Sequence, residues 1–445
     1  MSDSGFLTAK TKDADHFIDI MQRSAAEFDP HPSMRSWAEM KEIEKNLKSE
    51  IGKNDILLGG VDKDYSEPVV IPYSGKSMVV TTIAKKGSGK SVMNAHLVLD
   101  NMHAKFGNYV MIIDPKQDYP NIDKPLAGEF VDSIKKFGMK PRGYPAYWCV
   151  PKMLELFGAK GKEYVPSLKD FESIDRASYM KTLAQMLDID PKSASARAFE
   201  RVIMKYKPKN IAEMRAGIKA DQKYQLSVSR NKIISTGLSN RFEEKLMSNL
   251  LGENNNVDFP VELATHKILV MQTTLYAQNQ VTNSIYIKLA ISRIVADRKN
   301  YIRSQGQLGV IDKPVTFMID EADSVCPNRG YSPSRFTIRS LATKERATGM
   351  SVFLITQNPT FLDQAIIKES DFIIVSKLFS EEEKAVLTAR GVPKYIIGEV
   401  MKKLEWKDTS PVKQFAIILP DSEDMYKTFY PIACACSFQK EGTYG

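Results

Sequence analysis

Apolar residues fall into two periodicities along this chain. Six short runs are apolar at nearly every position: SMVVTTI (77–83), NYVMIIDPKQDY (108–119), HKILVMQTTL (266–275), VTFMIDEAD (315–323), MSVFLITQNP (350–359) and DFIIVSKL (371–378). Runs of this length, rich in Val and Ile and closed by polar residues, predict strands buried on both faces, as in a parallel sheet. Between them, SVMNAHLVLDNMHAKFG (91–107) and a stretch near 281–304 predict helices. Strand, crossover helix, strand is the opening of a parallel α/β layer.

From about 120 to 255 the strand pattern largely vanishes. SIDRASYMKTLAQMLDI and ASARAFERVIMKYK carry helical spacing instead. Near the N-terminus, Trp37, Met40, Leu47 and Ile51 recur at roughly helical intervals in a Lys/Glu-rich stretch, which predicts an arm packed on the protein's own core. The boundaries that follow are a helical arm at 1–60, a first part of the α/β core at 61–120, an all-helical insertion at 121–255, a second part of the core at 256–405, and a C-terminal segment at 406–445 in which no element is legible.

Composition adds a few limits. At 445 residues and 43% hydrophobic, the chain can bury a large core. The net charge is +8, and between residues 160 and 250 there are 18 Lys/Arg against 11 Asp/Glu, a surplus of seven. The excess therefore sits in the helical insertion and suits an acidic partner. Four cysteines suggest a reducing compartment rather than a disulfide framework, and Cys434-Ala-Cys436 lacks the further ligands of a zinc site. The N-terminus has no signal-peptide core, and no window approaches the ~18 consecutive apolar residues of a membrane span. A cytoplasmic protein is expected, recruited to a membrane or capsid complex by partners if at all.

The candidate chemistry lies at the strand ends. After the first strand comes AKKGSGKS (84–91), a phosphate-binding loop with Ala84 where the pattern G-x-x-x-x-G-K-[ST] has its first glycine. Gly87, Ser88 and Gly89 would give the tight path that turns backbone N–H groups towards phosphates. Lys90 would reach the β- and γ-phosphates of ATP, and Ser91 would ligate Mg²⁺. A single methyl at position 84 is a modest change if the backbone there suits alanine. The run FMIDE (317–321) ends in two carboxylates, as a Walker B strand does: Asp320 to hold Mg²⁺ through water, Glu321 to polarise the attacking water. A strand ending in solvated acids would look the same, so the upstream loop carries the reading. VFLIT (352–356) delivers Thr356 and Gln357 to a place where they can touch the γ-phosphate or the lytic water. Arg346, just before that strand, could stabilise charge on the transferred phosphoryl group of a neighbouring subunit.

Together these segments resemble the HerA/FtsK superfamily of DNA-pumping ATPases, which includes conjugative coupling proteins and type IV secretion ATPases. KERATGMSVFLITQNP after Asp-Glu is similar to the family's K-x-R-A-x-G run and following strand. IIDPKQDY resembles its I-D-P-K-x-E-[YL] element and places Asp114, Pro115 and Lys116 on matching positions. The loop matches at Gly87, Ser88, Gly89, Lys90 and Ser91 and departs at Ala84 and Lys86. The likeness covers roughly residues 68–119 and 266–380.

The resemblance implies a RecA-like core in a ring, usually a hexamer, with ATP at the subunit interfaces. It makes Arg346 the arginine finger in trans, Gln357 the γ-phosphate sensor, Glu321 the catalytic carboxylate and double-stranded DNA the cargo. The insertion resembles, in position only, the all-helical domain of conjugative coupling ATPases. Relatives often carry N-terminal transmembrane helices or a β-barrel, whereas about 75 residues without a span precede the loop here.

The leading expectation is thus a ring-forming ATPase that translocates DNA, in transfer, packaging or repair, with a sequence-independent and salt-sensitive grip. Candidate contacts are the cations of the insertion together with Arg329 and Arg335. A secretion ATPase acting on polypeptides would share the site and differ in its response to DNA. A non-hydrolysing switch would need no Glu321.

Overall fold

The computed structural model describes residues 51–128, 130–150, 161–171, 176–190, 193–229, 233–247, 251–252, 257–273, 280–330, 332–405, 413–419 and 426–438. All six predicted strands are present: β3 (Val79–Ile83), β4 (Tyr109–Asp114), β7 (Ile268–Gln272), β8 (Val315–Ile319), β9 (Met350–Thr356) and β10 (Phe372–Val375). Among the described residues they form the middle of a twelve-stranded sheet, whose other strands are β1 (Asp55–Gly60), β2 (Pro68–Pro72), β5 (Tyr147–Val150), β6 (Lys162–Glu163), β11 (Phe415–Ile418) and β12 (Tyr426–Pro431), in the order β2-β1-β12-β11-β10-β3-β9-β8-β4-β7-β5-β6. From β10 to β6 every pairing is parallel.

Both faces of this parallel portion are covered, which is why its strands read as unbroken apolar runs. Along β4, Met111 and Ile113 face one buried cluster while Val110 and Ile112 face the other. The helix Lys90–Ala95 and its wider π-helical continuation His96–Lys105 cover the second face through Leu97, Val98, Leu99 and Met102. The predicted long helix, observed at Gln280–Arg303, covers the first with Ile285, Leu289 and Ile294.

Three expectations need correction. The segment 121–255 is not all-helical: β5 (Tyr147–Val150) and β6 (Lys162–Glu163) extend the parallel sheet beyond β7. The arm 1–60 ends in β1 (Asp55–Gly60), which pairs with β2 (Pro68–Pro72); Trp37, Met40 and Leu47 lie outside the described residues. The illegible C-terminal segment contains β11 (Phe415–Ile418) and β12 (Tyr426–Pro431), which continue the sheet antiparallel from β10 and bring β1 in beside β12.

The insertion is built on the helices Arg176–Met186, Ala194–Tyr206, Ile211–Ser229 and Ile233–Met247. Ala194–Tyr206 shows how sequence sets the packing. The Ser193 side chain caps its start by accepting from the Ala196 N–H at 3.1 Å, and Ala198, Phe199, Val202 and Ile203 form one buried stripe. That stripe belongs to the same apolar cluster as Met214, Phe242 and the sheet residue Ile113, so the insertion shares a core with the sheet.

Candidate functional site

The carboxyl ends of β3, β9, β8 and β4 lie side by side. Ile83 registers with Thr356, Leu354 with Ile319, and Ile319 with Ile113. Every polar residue leaving these strands therefore emerges at one edge of the sheet, where parallel α/β folds bind ligands. Because β9 separates β3 from β8, Gln357 emerges between the phosphate loop and the Asp320–Glu321 pair.

Gly87 and Gly89 have φ of +74° and +85°, with open space where a Cβ would sit. The glycines are thus required by backbone conformation. Ala84 has no such requirement: it is 1% exposed, its φ is negative, and its N–H donates to the Thr356 carbonyl at 3.1 Å. Lys90 is buried at the helix start. The Ser88 hydroxyl is buried without a hydrogen-bond partner, a costly arrangement that a ligand oxygen would relieve.

Opposite the loop, Asp320 is fully buried and each of its oxygens is held. Oδ1 accepts from the Glu321 N–H at 2.9 Å; Oδ2 accepts from the Tyr119 hydroxyl at 3.2 Å and the Ser91 hydroxyl at 3.4 Å. Asp114 accepts N–H bonds from Lys116, Asp118 and Tyr119. Burial pushes the Asp320 carboxyl up to about 6, against the pull of Lys90, and Asp114 up to about 7, helped by the nearby Asp118 and Asp320. Two buried acids held above their ordinary range mark a place suited to a cation.

Glu321 sits in the left-handed region at φ 46°, which costs a non-glycine residue about 1 kcal/mol. Its Oε1 accepts from both Lys116 Nζ and Gln357 Nε2. Thr356 Oγ1 donates to Asp323 Oδ1 at 2.7 Å, fixing the exit of β9.

Ser91 and Asp320 offer a sparse set of hard oxygens. Among the described residues no group of three or more His, Cys, Asp and Glu side chains could hold a metal alone. Such a set fits Mg²⁺, which takes most of its ligands from phosphate and water, and does not fit zinc. Cys434 and Cys436 are buried with sulfurs 3.4 Å apart.

Arg346 lies elsewhere. It donates to both oxygens of Asp371 and to the Ser77 carbonyl, at the amino end of β3, the opposite end from the loop. Arg335 is engaged by Asp363 at 2.7 Å, whereas Arg329 is exposed.

Several contacts at the site carry no local sequence signal. Lys85 pairs with Glu383, the capping-box residue of the helix Glu381–Ala389, and the Lys85 N–H donates to Ser376 at 3.3 Å. Tyr119 closes the DPKQDY element, and the polar end of that apolar run was the one hint of its place. The others come from positions nearly 300 residues away.

No protein-family model matches the chain, and no curated protein is similar to it in sequence. Solved structures are similar in fold. VirB4 of Thermoanaerobacter pseudethanolicus superposes with a TM-score of 0.53 at 14% identity, over 85% of this chain and 96% of that one. The bacterial conjugative coupling protein TrwBdeltaN70 gives 0.42 at 11% identity, over 89% of both chains. The genome packaging NTPase B204 from Sulfolobus turreted icosahedral virus 2, in complex with ATP-gammaS, gives 0.33 at 11%, over 80% of this chain and 98% of that one. The VirB4 likeness carries the fold alone: an α/β core on a mostly parallel sheet, as the sequence led one to expect. Among the described residues no helix is long and apolar enough to cross a membrane.

Proposed function

We propose that the chain is an ATP hydrolase that works as a ring, a hexamer on the family resemblance, and moves DNA. The observation that carries the hydrolase reading is the meeting of Ser91 with Asp320 and of Gln357 with Glu321 at one sheet edge. The backbone N–H groups of residues 87–91 would cradle the phosphates at the helix start, with Lys90 against the β- and γ-phosphates. Ser91 and Asp320 would hold Mg²⁺, which when bound neutralises charge on the phosphate oxygens. Glu321 Oε2, left over when Oε1 is engaged, would orient a water and accept its proton as the water oxygen attacks the γ-phosphorus, the bond to the β–γ bridging oxygen breaking so that ADP and inorganic phosphate are the products. Gln357 would keep that carboxylate aligned. Arg346 would serve a neighbouring subunit once released from Asp371.

The DNA reading rests on the insertion. Arg201 and Arg215 are used in ion pairs with Asp221 and Glu243, but Arg197, Lys205, Lys207, Lys209, Lys219 and Lys223 are exposed. Cations presented on a surface suit a phosphate backbone and give no base readout. Arg329 stays in this proposal as an exposed contact; Arg335, paired with Asp363, would have to break that pair to join it.

The test is ATP turnover with and without linear double-stranded DNA at low and moderate salt, beside Lys90→Ala and Glu321→Gln. Stimulation that fades with salt and vanishes in both variants is expected. Turnover indifferent to DNA would replace the cargo with a polypeptide, as in a secretion ATPase. A wild-type chain with no turnover would sink the hydrolase reading.

A further inference from the structure

The residues after β12 run as a strap beside the candidate site. Its backbone is stitched down on both sides. The Ala435 carbonyl accepts from the Leu126 and Arg142 N–H groups at 2.9 and 2.8 Å, and the Ser437 N–H donates to the Lys124 carbonyl at 2.9 Å. The Ala435 N–H in turn donates to Asp100 Oδ2 at 3.0 Å, on the π-helical continuation of the helix that begins at Lys90. Ala433 and Ala435 pack in a cluster with Val92, one residue after Ser91.

The strap ends, within the described residues, at Phe438. Its ring meets the Tyr119 ring edge-on, with centroids 5.7 Å apart at 83°. Tyr119 is wholly buried, and its hydroxyl donates to Asp320 Oδ2 at 3.2 Å, the same oxygen that accepts from the Ser91 hydroxyl at 3.4 Å. It therefore meets Ser91 at one carboxylate oxygen, between the two residues assigned above to the cation. Its own N–H donates to Asp114 Oδ2 at 3.3 Å, so its backbone is anchored as well. A phenol fixed at its backbone by one acid, at its ring edge by Phe438 and at its hydroxyl by another acid cannot rotate without breaking one of these contacts.

We propose that Tyr119, braced by Phe438, is the positioning residue of the cation site, holding Asp320 and Ser91 at the spacing that Mg²⁺ with a bound nucleotide requires. This rests on the nucleotide-site reading given above. The hydroxyl selects one orientation of the Asp320 carboxylate before any ligand arrives, so the ordering cost is met on folding rather than on binding. By this route Phe438 of the C-terminal strap, 347 positions after Ser91, supports the metal site through Tyr119.

The experiment uses the full chain and a fluorescent ATP analogue, with Mg²⁺ titrated in from an EDTA-treated start. Tyr119→Phe keeps the ring and removes only the oxygen, so folding is preserved, and thermal unfolding without ligand checks that it is. Binding of the analogue without cation should match wild type, while the half-saturating Mg²⁺ concentration rises about tenfold, the scale of one lost hydrogen bond to a charged group. Phe438→Ala should shift the midpoint in the same direction by less and add nothing in the Tyr119→Phe background; Phe438→Tyr should restore it. A Tyr119→Phe midpoint equal to wild type overturns the inference alone. A wild-type chain that takes up no analogue, with or without Mg²⁺, overturns the nucleotide site itself and the inference with it.

Discussion

Arg346 and Asp371 form a two-pronged ion pair, Nη2 to Oδ1 at 2.8 Å and to Oδ2 at 2.9 Å, at the amino end of β3. Asp371 also accepts the Val79 N–H at 2.8 Å, so the pair is anchored to the first residue of the strand that leads to the phosphate loop. Five residues of strand span about 13 Å, so Arg346 and the loop of the same chain lie at opposite ends of β3. A role for this guanidinium in phosphoryl transfer must act on another copy.

That arrangement sets up a mixing test. Arg346→Ala should bind nucleotide normally and lose turnover by a factor of about 10³, the order expected of an arginine finger. Glu321→Gln should also be inactive. Combined, the two inactive chains should recover part of the wild-type rate, because some interfaces then pair an intact Glu321 with an intact Arg346. Absence of recovery in co-assembled chains would place Arg346 outside the reaction and leave its pair with Asp371 as a structural tie.

The loop's departure from the usual pattern leads to a second expectation. Ala84 contributes a buried methyl and has an ordinary backbone, so Ala84→Gly should destabilise the chain by about 1 kcal/mol with no gain in turnover. Gly89→Ala carries the opposite logic. Its φ of +85° would strain any side chain, and nucleotide affinity should fall because the loop's N–H groups no longer converge. Thermal unfolding and analogue binding on both variants check this. Faster hydrolysis in Ala84→Gly would show that the alanine does impair the loop.

Ser88 should separate stability from binding. Its hydroxyl is buried without a partner, so the ligand-free protein carries a desolvation cost that Ser88→Ala removes. The variant should unfold at an equal or higher temperature than wild type and bind nucleotide more weakly by about 1 kcal/mol. Weaker binding together with lower stability would mean the hydroxyl is a structural group rather than one waiting for a phosphate oxygen.

How much of this was legible follows from the range of each interaction. The strands β3, β4 and β7 to β10 are buried on both faces and announce themselves as continuous Val/Ile runs, and the polar residues that close them make up the proposed site. Tyr147–Val150 and Lys162–Glu163 offered no such run: one has four residues, the other two, and they join the sheet only because β7 supplies an edge. Phe415–Ile418 is apolar but only four residues long, and Tyr426–Pro431 carries Lys427 and Thr428 in its middle, so nothing local indicates that the first pairs beside β10 and the second beside the first. Within the site, the loop and Asp320–Glu321 were readable because each is a contiguous pattern. Lys85 with Glu383 and Tyr119 with Phe438 were not, because each pair joins positions about 300 residues apart and only the closed fold brings them together.

The buried acids make the ligand-free protein sensitive to pH with a definite sign. Burial holds Asp320 at about 6 and Asp114 at about 7, both above the usual carboxylate range. The folded chain therefore keeps protons that the unfolded chain has released. That contribution is complete below about pH 4 and is lost as pH rises through about 6 to about 7. Without nucleotide and cation, the unfolding temperature should fall between pH 6 and pH 8. Asp114→Asn, which cannot ionise, should show a shallower fall. Saturating Mg²⁺ with a non-hydrolysable ATP analogue should flatten the wild-type slope, since a cation favours the charged carboxylates. An Asp114→Asn slope as steep as wild type would mean that other groups set the pH dependence, and that Asp114 is not a buried acid of the nucleotide site.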